Sequence, residues 1–324
     1  MVRAIPLCHA ADDMRHLAKT LATLLLTATV ARAQAPANQI CGTATTHPAV
    51  YEHVLWIWME DHGTAEILRS PDAAYINTLI TSCGLAKNYH AITHPALPNY
   101  LGAVTGLPLR ELNKFGQPCD PGPTCSVPAA SIFSQVHSWK AYMESMDVNC
   151  QLTGFTGYAV RHNPPTYLTS LTGCDQFDVP YSQLAVDLAN DTLPEFAFIT
   201  PNTVNDMHDG IGADAIRTGD AWLQSEVAKI LASAAYRRGK TAVFVTFDEG
   251  DVGARGLVGQ NCLNSKDEAC IVPAIVIAPS VRPGKTSGRL FTHYSLLKTT
   301  EKMLGAKPLG MARRARNMRR PFNL

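Results

Sequence analysis

Two pairs of adjacent carboxylates, Glu60-Asp61 and Asp248-Glu249, each close an apolar run: His53–Met59 reads HVLWIWM and Thr241–Phe247 reads TAVFVTF. Short β-branched and aromatic runs of this kind predict buried strands. In an open α/β sheet the carboxyl ends of the strands line the ligand crevice, so the two pairs are expected to meet there. Four carboxylates in one pocket raise one another's pKa, and a bound cation is the usual compensation. Glu60, Asp61, Asp248 and Glu249 are therefore expected to hold one divalent metal ion. Either pair alone would read as surface carboxylates at a strand-to-helix turn; the twinned placement argues against that.

Two further clusters follow predicted strands. Thr93-His-Pro-Ala-Leu-Pro-Asn-Tyr100 places a hydroxyl and an imidazole just before Pro98-Asn99, where a helix start would offer free amides to a phosphate. Thr200-Pro-Asn-Thr-Val-Asn-Asp-Met-His-Asp-Gly210 gathers Asp206, His208 and Asp209, and His293-Tyr294 opens a final helix. Carboxylates hold hard cations, and histidines protonate leaving oxygens or neutralise phosphoryl charge. Taken singly, His94 reads as a turn residue, His293 as a helix cap, and Asn202 and Asn205 as ordinary loop residues. All of them fall where one crevice would put them.

The elements that must position these groups alternate along the chain. Strands are expected at 53–59, 85–91, 139–143, 195–200, 241–247 and 272–278, and helices at 73–81, 99–104, 182–190, 214–232 and 293–304. That alternation predicts a mainly parallel sheet covered by helices in three α/β/α layers. Loops 108–128 and 250–267, rich in Pro, Gly or Cys, are expected to shape the pocket.

With 46% hydrophobic and 17% charged residues, the chain reads as a globular protein rather than a disordered one. Its formal net charge of +1 argues against a dedicated nucleic-acid binder. The basic run from Arg313 to Arg320 reads as a solvated terminal helix rather than a binding arm. From Met14 a charged start, a short apolar core and Ala31-Arg-Ala33 spell a secretory signal, so residues 1–33 are expected as leader and signal and 34–324 as one exported domain, extracellular or periplasmic. No stretch is long enough for a transmembrane helix. Eight Cys follow the leader; Cys119 with Cys125, Cys150 with Cys174 and Cys262 with Cys270 are the expected local pairs, leaving Cys41 with Cys83.

The ordered motifs Trp-Met-Glu-Asp-His, His-Pro-Ala-Leu-Pro-Asn-Tyr, Asn-Asp-Met-His-Asp-Gly, Thr-Phe-Asp-Glu and Thr-His-Tyr-Ser-Leu-Leu resemble the phosphoesterase family of secreted bacterial acid phosphatases and phospholipases C. The likeness runs from about Tyr51 to the C-terminus and is strongest to the short, mycobacterial-type branch. It implies an alkaline-phosphatase-like core and hydrolysis of phosphate monoesters, phosphoinositides among them; a small phosphoester or phospholipid headgroup is the expected partner. By the same resemblance Glu60, Asp61, Asp248 and Glu249 match metal ligands, with Asp61 where the family usually has Asn. His208 and His293 match histidines around the phosphoryl group. Asn99 belongs to the helix start after the nucleophile, and Thr93, His94 and Asp206 complete the expected catalytic set. Oxygen-rich ligands favour Mg, Ca or Mn, with Zn open because of the histidines.

One departure bears on mechanism. The family stretch usually reads His-Pro-Ser-Leu-Pro-Asn-Tyr, and the Ser hydroxyl is its attacking group. Here that position is Ala96. A methyl cannot attack phosphorus. Three outcomes stay open: Thr93 substitutes, a metal-activated water attacks, or the chain binds phosphoesters without turnover. A phospholipase C-type phosphodiesterase is the other enzymatic alternative.

Overall fold

The computed structural model describes residues 39–324 except 211, 252, 254 and 255. The leader and signal expected at 1–33 lie outside the described residues. Among the described residues ten strands form: β1 (His53–Met59), β2 (Gly84–Ala86), β3 (Tyr89–His90), β4 (Trp139–Met143), β5 (Asp178–Pro180), β6 (Phe196–Thr200), β7 (Thr241–Phe247), β8 (Ala274–Ile277), β9 (Lys285–Ser287) and β10 (Phe291–Thr292). Eight make one sheet in the order β5-β4-β6-β1-β7-β8-β2-β9, while β3 and β10 pair separately. Every neighbour pair in the large sheet is parallel except those of β8, which runs antiparallel to β7 and β2. The fold is the expected mainly parallel α/β type.

β1 and β7 are buried almost throughout, as strands covered on both faces must be. Trp56 and Trp58 face one layer, where Trp56 Nε1 donates to Thr300 Oγ1 and the Trp58 ring lies 4.9 Å from that of Tyr100. That layer holds the helices Ala96–Thr105 and His293–Met303, which pack on each other. The opposite layer holds Ala74–Ser82 and Ala213–Ala232. There Asp220 accepts from the Tyr75 and Ile76 amides, capping the shorter helix with the longer one.

Three boundaries differ from expectation for local reasons. The strand expected at 85–91 breaks at Lys87-Asn88, and its second half joins β10. The helix expected from Asn99 begins at Ala96, because Pro98 falls in the first turn, where a missing N–H breaks no bond. The basic C-terminal run is not a solvated helix: it folds as short turns at Gly310–Arg313 and Arg319–Phe322, tied back through Arg319 to Pro48, Ala49 and Lys302.

The four disulfides join Cys41 to Cys83, Cys119 to Cys125, Cys150 to Cys174 and Cys262 to Cys270, the pairing expected from spacing. Among the described residues no helix is long and apolar enough to cross a membrane.

Candidate active site

Sheet register brings the acidic pairs together. Met59 at the end of β1 lies opposite Phe247 at the end of β7, so Glu60 and Asp248 emerge side by side. The Asp248 amide bonds Met59 O at 3.1 Å, and the Asp61 amide reaches Asp248 Oδ1 at 3.3 Å. Asp61 makes that reach in a left-handed conformation, φ 54°, which short polar residues tolerate best. Glu60, Asp61 and Asp248 each offer an oxygen, all within 4.8 Å of one another. Glu249 points elsewhere: its Oε2 lies 2.5 Å from His94 Nδ1 and 3.5 Å from Asn99 Nδ2.

This cluster is electrostatically costly without a counterion. Burial, then the charges of Asp248, Asp61 and Asp206, push the Glu60 carboxyl well above its usual range. Burial and the neighbouring Glu249 and Asp61 do the same to Asp248. Tyr100 donates its hydroxyl to Glu60 Oε1, but Glu60 Oε2 and Asp248 Oδ2 are buried without a hydrogen-bond partner. Unsatisfied buried carboxylate oxygens are expensive. Three carboxylates that bring an oxygen each within 4.8 Å, two of them carrying a buried unsatisfied oxygen, fit a hard divalent cation.

Beside the cluster opens a pocket of about 230 Å³, lined by Glu60, Asp61, Ala96, Arg161, His208 and Glu249 among others. Phe115, Gln117 and Pro118 of the Cys-rich loop form another part of its wall. Ala96 is the first residue of its helix, and no side chain caps that end. The helix therefore presents unpaired amides and its positive end at the pocket.

The other expected residues take different places. Thr93 is fully buried, does not line the pocket, and turns its hydroxyl toward His94 O at 3.4 Å. Asn99 is buried too; its Oδ1 accepts from the Ile92 and Thr93 amides and its Nδ2 donates to Thr93 O, so it clamps the loop rather than facing a ligand. His94 is buried against Glu249 and the Cys262–Cys270 bridge. His293 is likewise buried outside the pocket: Nε2 lies 2.6 Å from the Asp248 carbonyl and Nδ1 3.1 Å from the Tyr89 hydroxyl. Burial pushes its pKa down to about 4, so it donates to that carbonyl as a neutral ring and fixes the end of β7.

His208 does face the pocket. Arg161 Nη2 lies 2.9 Å from its Nε2. An arginine can only donate, so Nε2 accepts and Nδ1–H donates to Asp209 Oδ1 at 2.8 Å. Asp206 accepts from the His208 amide and, through its other oxygen, lies 3.2 Å from His162 Nδ1. His162 in turn stacks on Tyr100 and lies 3.3 Å from Glu60 Oε2.

Arg161 and His162 were not anticipated from sequence, because they sit in a 3₁₀ turn far from any strand end. One signal was available: Arg161 is the only Lys or Arg between Lys140 and Arg217.

Residues 52–307 match the phosphoesterase family. The chain belongs to that family. This phosphoesterase is 27% identical over 282 residues to phosphatidylinositol-3-phosphatase of Mycobacterium tuberculosis, covering 85% of this chain and 84% of that one. It is 28% identical over 242 residues to an acid phosphatase of Aspergillus fumigatus, covering 70% of this chain but only 49% of the fungal protein. Among solved structures it resembles an alkaline phosphatase superfamily protein from Vibrio parahaemolyticus, with a TM-score of 0.55 at 14% identity over 85% of this chain and 72% of that one.

Proposed function

We propose that the phosphoesterase is an exported, divalent-metal-dependent phosphomonoesterase whose attacking oxygen comes from solvent. The observation that carries this reading is the combination of converging acidic oxygens with a methyl, Ala96, at the head of the adjoining helix. Glu60, Asp61 and Asp248 would hold the cation; Glu249, paired with His94, adds negative charge beside them. Such an ion, Mg, Ca or Mn by its oxygen donors, supplies Lewis-acid polarisation of a phosphoryl oxygen when bound.

The protein's own groups supply the rest. The open helix end at Ala96 and the Arg161 guanidinium receive the remaining phosphoryl oxygens. Asp209 orients His208 with its basic nitrogen, Nε2, toward Arg161 and the pocket. As Arg161 turns to the phosphoryl group it frees the Nε2 lone pair of His208, which takes a proton from the incoming water as that water's oxygen bonds phosphorus. The leaving oxygen, in line on the far side of phosphorus, takes its proton from solvent as the phosphorus–oxygen ester bond breaks, and His208 later gives up its own proton to solvent. Thr93, with its hydroxyl turned inward, is given no part in the attack. Disulfide content supports export, and the mycobacterial and fungal relatives, both named phosphatases, support phosphate monoesters as the substrate class.

The test is phosphate release by purified protein from p-nitrophenyl phosphate and from its bis-ester, after chelation and after return of Mg, Mn, Ca or Zn. Monoester hydrolysis lost on chelation and restored by a cation is the expected result. Preference for the diester would favour a phospholipase C-type enzyme, and no release with any cation a binding-only protein.

A further inference from the structure

Charge is far more unevenly distributed than the formal net charge of +1 suggests. Residues 282–324 hold eleven of the 28 Lys and Arg but one of the 27 Asp and Glu, whereas residues 39–281 hold 13 and 24. The single acid, Glu301, is buried, and burial pushes its carboxyl up to about 8. Among the described residues, the ion pairs of Lys and Arg involve none of these eleven. Lys298 and Arg319 are spent on main-chain carbonyls. Arg282, Lys302, Lys307, Arg314, Arg316 and Arg320 are exposed.

The fold collects this charge at one end. Arg282, Lys285 and Arg320 border one depression, and Arg319 and Arg320 the next. The Tyr51 amide, leading into β1, bonds Met303 O, and Arg319 bonds Pro48 O and Ala49 O. Most of the basic surface therefore lies where β1 starts, while Glu60 and Asp61 follow where β1 ends. Seven residues of strand put roughly 20 Å between the two ends.

We propose that this basic end docks the protein on an anionic phospholipid bilayer and holds it with the acidic pocket turned away from the lipid. A sheet of headgroups meets cations scattered over a face all at once. Single-stranded nucleic acid needs aromatic platforms, and none is offered: Phe291, Tyr294 and Phe322 are buried. No residue of 282–324 is among the exposed large hydrophobics and Val50, beside Ala49, is a lone small apolar side chain at this end, so binding is electrostatic, without insertion. The orientation, though not the docking, rests on the phosphomonoesterase reading: an enzyme held this way acts on soluble monoesters arriving from the aqueous side.

The test is sedimentation of the full exported chain with vesicles of phosphatidylcholine alone or mixed equally with phosphatidylglycerol. Roughly tenfold or greater partition onto the anionic vesicles is expected at low ionic strength, and its loss at about 0.5 M NaCl. Joint Arg314→Ser, Arg316→Ser and Arg320→Ser substitution should lower that partition by roughly tenfold and leave p-nitrophenyl phosphate turnover unchanged. Equal binding to both vesicles, or unaltered binding by the triple variant, would overturn the docking; so would complete displacement from the vesicles by a trace of duplex DNA, which would make the partner a nucleic acid. Sedimentation reads binding without turnover, so vesicle binding with no phosphate release would defeat the functional reading alone. Turnover of the soluble ester by vesicle-bound protein at its solution rate supports the orientation, and its suppression there overturns it.

Discussion

Ala96→Ser adds one oxygen where the reaction coordinate has most use for it. Ala96 heads the helix 96–105, is only 6% exposed, and shares a wall of the pocket with Glu60, Asp61 and Glu249. That pocket, about 230 Å³, is several times the ~30 Å³ share of a liquid water, so the new hydroxyl enters open space rather than packed core. The helix loses roughly 0.5 kcal/mol of propensity at most, and less in the first turn, where a hydroxyl serves unpaired amides. Melting temperature should barely move. A covalent route should raise kcat by roughly tenfold or more, about 1.4 kcal/mol off the barrier. Initial rates on p-nitrophenyl phosphate, with acid-quench mass spectrometry for phosphoserine, measure both effects. Thr93→Val in the same background should change the rate less than about twofold, since Thr93 faces away from the pocket. No rate gain and no phosphoserine, in a variant with unchanged melting temperature and metal content, would show that residue 96 does not stand at the attacking position. Parent activity abolished by Thr93→Val would make Thr93 the nucleophile instead.

Asp248→Asn removes one anionic oxygen from the cluster and should reduce metal content by elemental analysis, abolishing the chelator-induced drop in melting temperature. Arg161→Gln keeps the bulk of a side chain that borders the pocket and should raise KM for monoesters by roughly tenfold, with little change in stability. His293→Ala leaves the Asp248 carbonyl without its donor and should weaken metal binding by roughly tenfold or more in competition titrations, although His293 does not line the pocket. Burial raises the Asp178 carboxyl to about 8, so the folded chain holds that proton more tightly than the unfolded one. The associated stability is complete below the ordinary carboxylate pKa and is lost as pH climbs toward about 8. Asp178→Asn should therefore raise the melting temperature at pH about 8 and not at pH about 4, which thermal melts across pH will check.

What was legible in the sequence was whatever depended on strand ends. The runs at 53–59 and 241–247 announced two neighbouring strands, and their register alone sets Glu60 beside Asp248. Cysteine spacing gave the disulfides because three of the four bridges are local. Contacts made by loops that return from elsewhere were not legible. His162 reaches Glu60 and Asp206 from a turn with no periodicity to mark it. The division of labour among neighbours was hidden as well: Glu60 and the adjacent Asp61 both join the three-oxygen cluster, whereas Glu249, adjacent to Asp248, pairs with His94 instead. Asn99 illustrates the converse, a polar residue at a helix start whose closest hydrogen bonds hold its own loop.

Position 96 can carry a methyl while the acidic cluster stands, because the cluster's supports lie elsewhere. Glu60 is held by Tyr100, Asp248 by the Asp61 amide at its side chain and His293 at its carbonyl, and Glu249 by His94. None of these bonds uses residue 96, so a hydroxyl there is dispensable to the fold and its loss disturbs no carboxylate. The cluster, by contrast, is a standing cost: buried oxygens of Glu60, Asp206 and Asp248 have no hydrogen-bond partner. A fold gains nothing by keeping such groups for packing, since apolar side chains of similar volume would be more stable there. Their arrangement makes physical sense as a cation site, and a cation site beside an open helix end has a use whether the attacking oxygen comes from a side chain or from solvent.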